Sequence, residues 1–397
     1  MHYWEYIFFI SCFIVFYNYA GYAIIAFSLN RIKRKIKAPP ELTTGSFPGV
    51  SFIVAAFNEE DFIGQKILNS LGQDYPPEKI EFIFVTDGST DRTMEIIRQY
   101  PAIRLLHEDQ RNGKSAAMNR AAQIASRDIL IFSDANTTLN TTATKNIARH
   151  YQDKKVGGVA GEKKVIPPPG SPDEVGAGEG LYWKYESFLK KVDSEFYSVV
   201  GAAGELFSIR RDLFEPLPPT VILDDFVISL KLTEKGYRVR YEPTAYAMET
   251  PSFSLTDEHL RKVRIAAGGF QAMGMLRSLL LPWPYPSLTF LYVSHRVLRW
   301  TLSPLCFILA LLSNMVLSYR PGGIFRLFLA AQLLFYGLAI AGQFAGPRLS
   351  RLKILKLPSY FVFMNVSVIQ GFFRFLKGRQ TVNWEKARRT IPSAHQP

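Results

Sequence analysis

Residues 79–91 read KIEFIFVTDGSTD, and this stretch decides the fold. The apolar, β-branched run 79–86 predicts a buried strand, and DGSTD predicts a turn that leads into a helix at about Thr90. The run 50–56 upstream has the same character, and Asn58-Glu59-Glu60-Asp61 after it predicts the start of a helix. Two strand-to-helix units therefore follow one another.

The pattern continues downstream. Residues 103–106 predict a third strand, the Ala-rich residues 114–125 a helix, and residues 128–132 a fourth strand that ends at Ser133-Asp134-Ala135-Asn136. This alternation predicts an α/β domain with a doubly wound, mainly parallel sheet. Ligands of such sheets bind at the carboxyl ends of the strands.

Acidic side chains follow two of these strands. Asp87 and Asp91 follow one, and Asp134 and Asn136 follow another. Oxygen ligands at adjacent strand ends suit a hard divalent cation and the hydroxyls of a ribose. Turn formation and helix capping are the alternative roles for the same residues.

Three further segments carry chemistry-bearing residues. Arg111-Asn112-Gly113-Lys114 opens a helix and suits a phosphate, while the absence of GxGxxG and GxxxxGK[ST] excludes the usual dinucleotide and P-loop fingerprints. The small residues 200–204 suit close approach of a ligand to the backbone, or a loop with positive φ. Asp224-Asp225 precedes a helix. One of the two carboxylates suits a general base, because its like-charged neighbour raises its pKa; alternatively, the pair caps the helix.

A basic segment follows at Arg261, Lys262 and Arg264. These side chains suit a pyrophosphate leaving group, or anionic lipid headgroups.

Composition indicates a membrane protein. Hydrophobic residues make up 48% of the 397 residues, charged residues only 20%, and the formal net charge is +13. The apolar residues 2–30 are long enough to span a bilayer and precede the basic segment 31–37, which predicts an uncleaved anchor with a cytoplasmic domain after it. Because the basic residues cluster at membrane flanks, a nucleic-acid partner is not expected.

The C-terminal third contains uncharged runs at 300–319, 327–347 and 357–373. The first two predict spans, and the third predicts a short span or an interfacial helix. The predicted organisation is a transmembrane helix (1–30), a basic linker (31–48), a cytoplasmic domain (49–265), an amphipathic interfacial segment (266–299), membrane helices (300–376) and a basic tail (377–397).

Together these motifs resemble membrane-bound family 2 glycosyltransferases with the GT-A fold, similar to poly-N-acetylglucosamine, cellulose and hyaluronan synthases. The stretches that carry the resemblance are VAAFNEE (54–60), VTDGSTD (85–91), RNGKSAAMN (111–119), FSDANT (132–137), VGAAGELFSIRR (200–211), DDF (224–226) and RKVR (261–264).

The resemblance implies an inverting transfer from a nucleotide sugar, with UDP as the expected nucleotide and Mg²⁺ or Mn²⁺ as cofactor. The implied roles are uracil and ribose binding by Asn58, Glu59 and Asp87, phosphate binding by Lys114, metal binding by Asp134 and Asn136, proton abstraction by Asp225 beside Asp224, and diphosphate binding by Arg264. The implied setting is the inner (plasma) membrane, with a glycan or lipid acceptor, contact with membrane lipid, and possible partner subunits of an export system.

Two positions depart from the family pattern. Asn136 replaces the second acid of Asp-x-Asp, which lowers the expected metal affinity, and Ile265 replaces the tryptophan of Gln-x-x-Arg-Trp. Tyr182, Trp183 and Gly204 are the alternative acceptor-binding candidates. The departures leave two further interpretations open: a single-transfer enzyme with a lipid acceptor, and a catalytically weak sugar-nucleotide-binding partner of a synthase.

Overall fold

The computed structural model describes residues 2–36, 47–166, 176–250, 254–344 and 352–378. Much of the predicted linker (37–46) and nearly all of the predicted tail (379–397) lie outside the described residues. In chain order the elements are α1 (His2–Phe16), α2 (Tyr22–Ile36), β1 (Val50–Ala56), α3 (Glu60–Leu71), β2 (Ile80–Asp87), α4 (Thr93–Arg98), β3 (Ile103–Glu108), α5 (Lys114–Ile124), β4 (Ile129–Asp134), β5 (Thr138–Leu139), α6 (Ala143–Ala148), β6 (Val156–Val165), α7 (Gly176–Phe196), β7 (Leu206–Arg210), α8 (Asp224–Glu234), β8 (Arg238–Glu249), α9 (Leu255–Met275), α10 (Pro286–Tyr292), α11 (Leu298–Trp300), α12 (Leu302–Leu317), α13 (Ile324–Phe344) and α14 (Lys353–Leu376). Short π-helical turns join α1 to α2 (Tyr17–Gly21) and α10 to α11 (Val293–Val297).

The strands form one sheet in the order β3-β2-β1-β4-β7-β6-β8-β5. The first four strands are parallel, as the sequence predicted. Beyond them the sheet is mixed, because β7 runs antiparallel to both β4 and β6 whereas β6 and β8 are parallel. The α/β class is confirmed, with four consecutive parallel strands in one half of the sheet and mixed pairing in the other.

Strand β1 is buried along its whole length because helices cover both faces of the sheet. Phe52 packs on one face with Ile63 of α3, and Ile53 packs on the other with Ala117 of α5. Each large apolar side chain buried in this way contributes about 1.5–3 kcal/mol. Since neighbouring side chains point to opposite faces, a one-residue slip would exchange the two layers, so the register is fixed.

This register aligns the carboxyl ends of the central strands. Ala55 of β1 pairs with Asp134 of β4, and Ala56 of β1 pairs with Thr86 of β2. The segments that follow β1, β2 and β4 therefore emerge at one edge of the sheet.

Among the described residues, three helices are long and apolar enough to cross a membrane: His2–Lys33, Ile324–Phe344 and Ile354–Leu376. A fourth span exists if Pro286–Trp300 and Leu302–Leu317, which meet at a bend of 52°, are counted together. The run predicted at 300–319 thus qualifies only as part of a bent pair, whereas the run predicted as short or interfacial at 357–373 belongs to a helix that qualifies by itself.

The segment predicted as interfacial, 266–299, packs against the α/β domain. Leu288, Leu291 and Tyr292 are buried in the same core cluster as Ile53 of β1, and Tyr22 of α2 joins that cluster. One hydrophobic core therefore connects the sheet with the N-terminal helix and with the segment that leads into α12.

Candidate active site

Four sequence-predicted residues meet at the end of β4. Asp134 lies at the carboxyl end of that strand, and its Oδ1 accepts a hydrogen bond of 2.6 Å from Lys114 Nζ at the start of α5. Asp225 lies in the first turn of α8. A Cβ built on Gly204 would lie 3.0 Å from Lys114 Nζ and 3.3 Å from Asp225 Oδ2. Lysine, carboxylate and glycine backbone thus surround one small space.

The electrostatics suit an acid–base role for Asp225. Burial and the neighbouring Asp224 carboxylate raise the pKa of Asp225 to about 7, against the opposite effect of Lys114. Burial acts to lower the pKa of Lys114, but Asp134, Asp224 and Asp225 outweigh it and raise that pKa above its ordinary value. A carboxylate that titrates near neutral pH therefore lies near an ammonium group that stays charged.

Asp224 supports the first turn of α8. Its Oδ1 accepts a hydrogen bond of 2.9 Å from the Asp225 backbone N–H, and the side chain is 5% exposed. Within the described part of the chain, no donor reaches Asp224 Oδ2. Asp224 thus acts on Asp225 both through backbone geometry and through charge.

Asp87 holds the loop that presents Lys114. Its Oδ2 accepts from the backbone N–H groups of Asn112 (3.0 Å) and Gly113 (2.6 Å), and its Oδ1 accepts from Arg120 Nη2 (2.9 Å). Arg120 had not been singled out in the sequence, although it follows Lys114 by six residues on α5. Asp87 therefore positions the 111–114 loop, and a role in ribose binding stays a prediction.

Asn58 and Glu59 link the ends of β1 and β2. Asn58 is a non-glycine residue with φ +51°; its backbone N–H donates to Ser89 Oγ at 3.1 Å and its Oδ1 accepts from Thr90 N–H at 2.8 Å. Glu59 is 3% exposed, and its N–H donates to Thr93 Oγ1 at 2.8 Å. These bonds fix the shape of the predicted uracil and ribose pocket, while contact of the two side chains with a nucleotide stays a prediction.

The metal position combines Asp134 with Asn136. Asn136 Oδ1 is buried and accepts no hydrogen bond within the described ranges, and a buried carbonyl oxygen of this kind needs a partner. No group of three or more His, Cys, Asp or Glu side chains suited to a metal ion occurs among the described residues. The donor set fits Mg²⁺ or Mn²⁺ bound by one carboxylate and one amide oxygen, because these ions commonly take their remaining ligands from substrate phosphates and water.

Lys66 lies beneath this metal position, and sequence reasoning did not identify it. Its Nζ donates to Ser133 Oγ at 2.6 Å and to the Thr137 carbonyl at 3.0 Å. Burial lowers the pKa of Lys66 to about 7, with Asp134 opposing. The lysine therefore ties together the two sides of the loop that carries Asp134 and Asn136.

Next to this cluster lies a cavity of about 930 Å³. Asp134, Asp225 and Gly204 line it, and so do the acceptor candidates Tyr182 and Trp183. The cavity continues to side chains of the candidate membrane helices, including Trp300, Leu357 and Phe361.

Two of the three basic residues predicted on α9 line the cavity. Arg261 and Lys262 line the cavity, and Arg264 is not among the described residues that do so. Arg261 Nη2 lies 3.4 Å from Glu205 Oε1, and Lys262 Nζ lies 3.1 Å from Glu258 Oε1. Diphosphate binding by Arg264 stays a prediction.

Ile265 also lines the cavity at the position where the resembled synthases have tryptophan. One helical turn further along α9, a Cβ on Gly269 would lie 2.9 Å from the ring of Trp300. An aromatic ring is therefore present in this wall, contributed by α11 instead of α9.

Comparison with known proteins agrees with this geometry. Residues 51–217 match the domain family described as Glycosyl transferase family 2. The poly-beta-1,6-N-acetyl-D-glucosamine synthase of Staphylococcus aureus (strain MSSA476) is 25% identical over 296 residues, which cover 69% of this chain and 67% of that protein. The probable glycosyltransferase YdaM of Bacillus subtilis (strain 168) is 25% identical over 221 residues, 51% of this chain and 50% of that protein.

Among solved structures, the mannosyltransferase PcManGT from Pyrobaculum calidifontis, in complex with GDP-Man and Mn²⁺, superposes with a TM-score of 0.70. It is 22% identical, and the superposition covers 94% of this chain and 99% of that one. At this identity the superposition shows a shared fold.

Proposed function

Since the chain carries a family 2 glycosyltransferase domain with the GT-A fold, we propose that it is an inverting glycosyltransferase that uses a UDP-sugar to build or extend a cell-surface glycan at the membrane. The observation that carries the proposal is the meeting of Asp225, Lys114 and Asp134 at one end of the cavity. The similarity to a poly-beta-1,6-N-acetyl-D-glucosamine synthase supports a polysaccharide as the product.

The proposed step is a single displacement. An acceptor hydroxyl attacks the anomeric carbon, its proton passes to Asp225 Oδ2, and the bond from that carbon to the diphosphate oxygen breaks. The nucleoside diphosphate leaves with the electron pair of that bond, next to the charged Lys114. General-base assistance is typically worth about 10²–10⁴-fold, and charge neutralisation and alignment supply most of the remainder.

A bound Mg²⁺ or Mn²⁺, held by Asp134 and Asn136, would neutralise diphosphate charge when present. The chain's own residues prepare this position. Lys66 fixes the loop at Ser133 and Thr137, and Asp87 fixes the loop that presents Lys114. The proposed donor-binding set is completed by Asn58 and Glu59 at the end of β1.

We test the assignment with Asp225→Asn in the full-length protein. Amide replacement removes the proton acceptor and keeps the shape, so transfer should fall by at least about 10²-fold while UDP binding, measured by calorimetry, changes little. Substantial residual turnover would disprove the role of Asp225. Asp212→Asn, an exposed position outside the cavity, is the matched control.

A second candidate function is a single transfer to a lipid acceptor. Ile265 in place of the tryptophan, and the extension of the cavity to α14, favour it. Incubation with radiolabelled donor separates the two functions by product size, because a ladder supports polymerisation and one glycolipid spot supports single transfer.

Asn136 motivates a third candidate, a catalytically weak partner that binds sugar nucleotide. Calorimetric binding of UDP-sugar and Mn²⁺ without donor consumption under any acceptor would support it. Donor consumption that is lost in Asp225→Asn would exclude it.

The proposed location is the inner (plasma) membrane, with several spans and the catalytic domain in the cytoplasm. The candidate spans and the basic residues 31–37 after the first of them support this arrangement. Partner subunits of an export system would fit a polymer product. Labelling of single introduced cysteines from either side of the membrane tests the orientation.

A further inference from the structure

The cavity extends well beyond the atoms that the proposed reaction needs. From Asp134 and Asp225 it continues past α7 and the Val293–Val297 turn to α14. The part near α14 is lined by apolar side chains, among them Leu357, Phe361 and Met364. Such a wall suits a hydrocarbon chain better than a sugar.

The same cavity has an excess of positive charge. Of the residues that the structure describes, seven lysines and arginines line it, against four aspartates and glutamates. Glu186 serves two of these cations, since it lies 2.9 Å from Arg296 Nη1 and also pairs with Arg299 Nη1. Burial acts to raise the pKa of Glu186, but the two guanidinium groups hold it well below its usual range. One carboxylate is thus shared by two arginines.

Lys190 is a buried cation of this cavity whose ammonium group no described hydrogen-bond acceptor reaches. It lies on α7, one turn after Glu186, and is 3% exposed. Its Nζ lies 5.5 Å from the centre of the Trp183 ring, and no acceptor within the described ranges reaches it. Burial lowers the pKa of Lys190, with Glu162, Glu205 and Glu186 opposing. A buried ammonium without a hydrogen-bond partner is costly, and an anionic ligand in the cavity would supply one.

Arg299 has unused donors in the same wall. It is 7% exposed, and its Nε and Nη2 reach no acceptor in the part of the chain that the structure describes. Lys190 and Arg299 lie on different elements, α7 and α11, and both lie beside Glu186. Two cations with unused N–H groups, joined to an apolar wall, define an amphiphilic site.

We propose, on the basis of the function proposed above, that the acceptor is a lipid whose phosphate group binds at Lys190 and Arg299. The lipid chain lies along α14 and leads to the bilayer. The phosphate is the anchoring group, and a hydroxyl of the same lipid molecule is the nucleophile that loses its proton to Asp225. The site therefore selects for phosphate between a hydrocarbon chain and a hydroxyl-bearing head.

The test uses the full-length protein in micelles of a phosphate-free maltoside detergent, because phosphatidylcholine would itself supply a phosphate. The micelles are doped with phosphatidylglycerol, which has a hydroxyl-bearing head beyond its phosphate, or with a polyprenyl phosphate, which has the phosphate alone; matched micelles contain diacylglycerol or a polyprenol. Retained lipid is measured by native mass spectrometry for wild type, Lys190→Met, Lys190→Arg and Lys191→Met. Lys191 is the exposed neighbour on α7 and does not line the cavity.

We expect wild type and Lys191→Met to retain at least one phosphate-bearing lipid over its uncharged match. Lys190→Met should weaken that retention at least tenfold, and Lys190→Arg should restore it. Because Lys190 Nζ has no described hydrogen-bond acceptor, the methionine variant breaks no described hydrogen bond; thermal unfolding of each variant checks this.

Equal retention by wild type and Lys190→Met, or of charged and uncharged lipids by wild type, would overturn the proposal. Inorganic phosphate is added at the same concentration as the lipid. If it displaces the lipid, the site binds free phosphate and the lipid is not the source of the bound phosphate group. UDP-sugar binding is measured on the same samples. Lost UDP-sugar binding with intact lipid retention refutes the proposed function alone, and the converse result refutes this inference alone.

Discussion

The rate of transfer should depend on pH through Asp225, with a slope that the structure sets. A general base works only in its deprotonated form, and the pKa of Asp225 is raised to about 7. The deprotonated fraction falls to roughly one-tenth at one unit below the pKa and to roughly one-hundredth at two units below it. kcat/KM, which reports the free enzyme, should therefore fall about tenfold for each unit of pH below 7 and level off above about 8.

The pKa depends on a neighbour that can be removed. Burial is the larger cause of the shift and Asp224 the next. Asp224→Asn keeps the size of the side chain and removes one like charge, so it should move the acid limb to lower pH. In a largely buried site such a charge is worth on the order of 1–2 kcal/mol, or about one unit of pKa.

The assay is release of nucleoside diphosphate from a donor at low concentration, at constant ionic strength from pH 5 to pH 9. Because the pKa of Lys114 is raised above its ordinary value, Lys114 should add no alkaline limb in this range. A flat profile between pH 5.5 and pH 8, or an acid limb unmoved in Asp224→Asn, would refute the assignment. Asp212→Asn should leave the profile unchanged.

Three further predictions follow from the described contacts. Gly204→Ala should lower kcat about tenfold, or about 1.4 kcal/mol, with an unchanged unfolding midpoint, because the added Cβ lies 3.0 Å from the mobile end of Lys114. Gly201→Ala should destabilise the protein more than Gly236→Ala: the two glycines have φ of +86° and +87°, but only a Cβ on Gly201 would meet a described neighbour, the ring of Phe226. Thermal melts that show equal losses would contradict this. Asn136→Asp should lower the Mn²⁺ concentration for half-maximal transfer, because a carboxylate binds a divalent cation better than an amide; an unchanged metal titration would show that residue 136 is not a ligand.

The parallel half of the sheet was predictable because its signals are local. Strands buried on both faces read as continuous apolar runs, and the residues after them lie at one edge once the strands are parallel. The convergence of Asp134 with Lys114 follows from that rule. The mixed half was not predictable in this way, because the pairing of β7 with β4 joins segments about 75 residues apart with no local signal.

The sequence motif predicted the position of the basic segment on α9 but did not determine which of its side chains face the cavity. Ile265 follows Lys262 by three residues and Arg261 by four, as one helical face requires, and Arg264 does not line the cavity among the described residues. Trp300 could not be predicted as a residue of this wall for a different reason. It comes from a helix 31 residues after Gly269, and only tertiary packing brings it to this wall.

The site is also joined by packing to the candidate membrane helices. Tyr22 of α2 lies in the core cluster that covers one face of the sheet, and its hydroxyl donates to Asp193 on α7. The second Asp193 oxygen lies 2.6 Å from Nδ1 of His295, in the turn that precedes α11. Because α7 also carries Trp183 and Lys190, α2 and the turn before α11 hold in place a helix that lines the cavity. The edge of the sheet that carries Asp134 and the cavity beside it are therefore joined by packing to the candidate membrane helices.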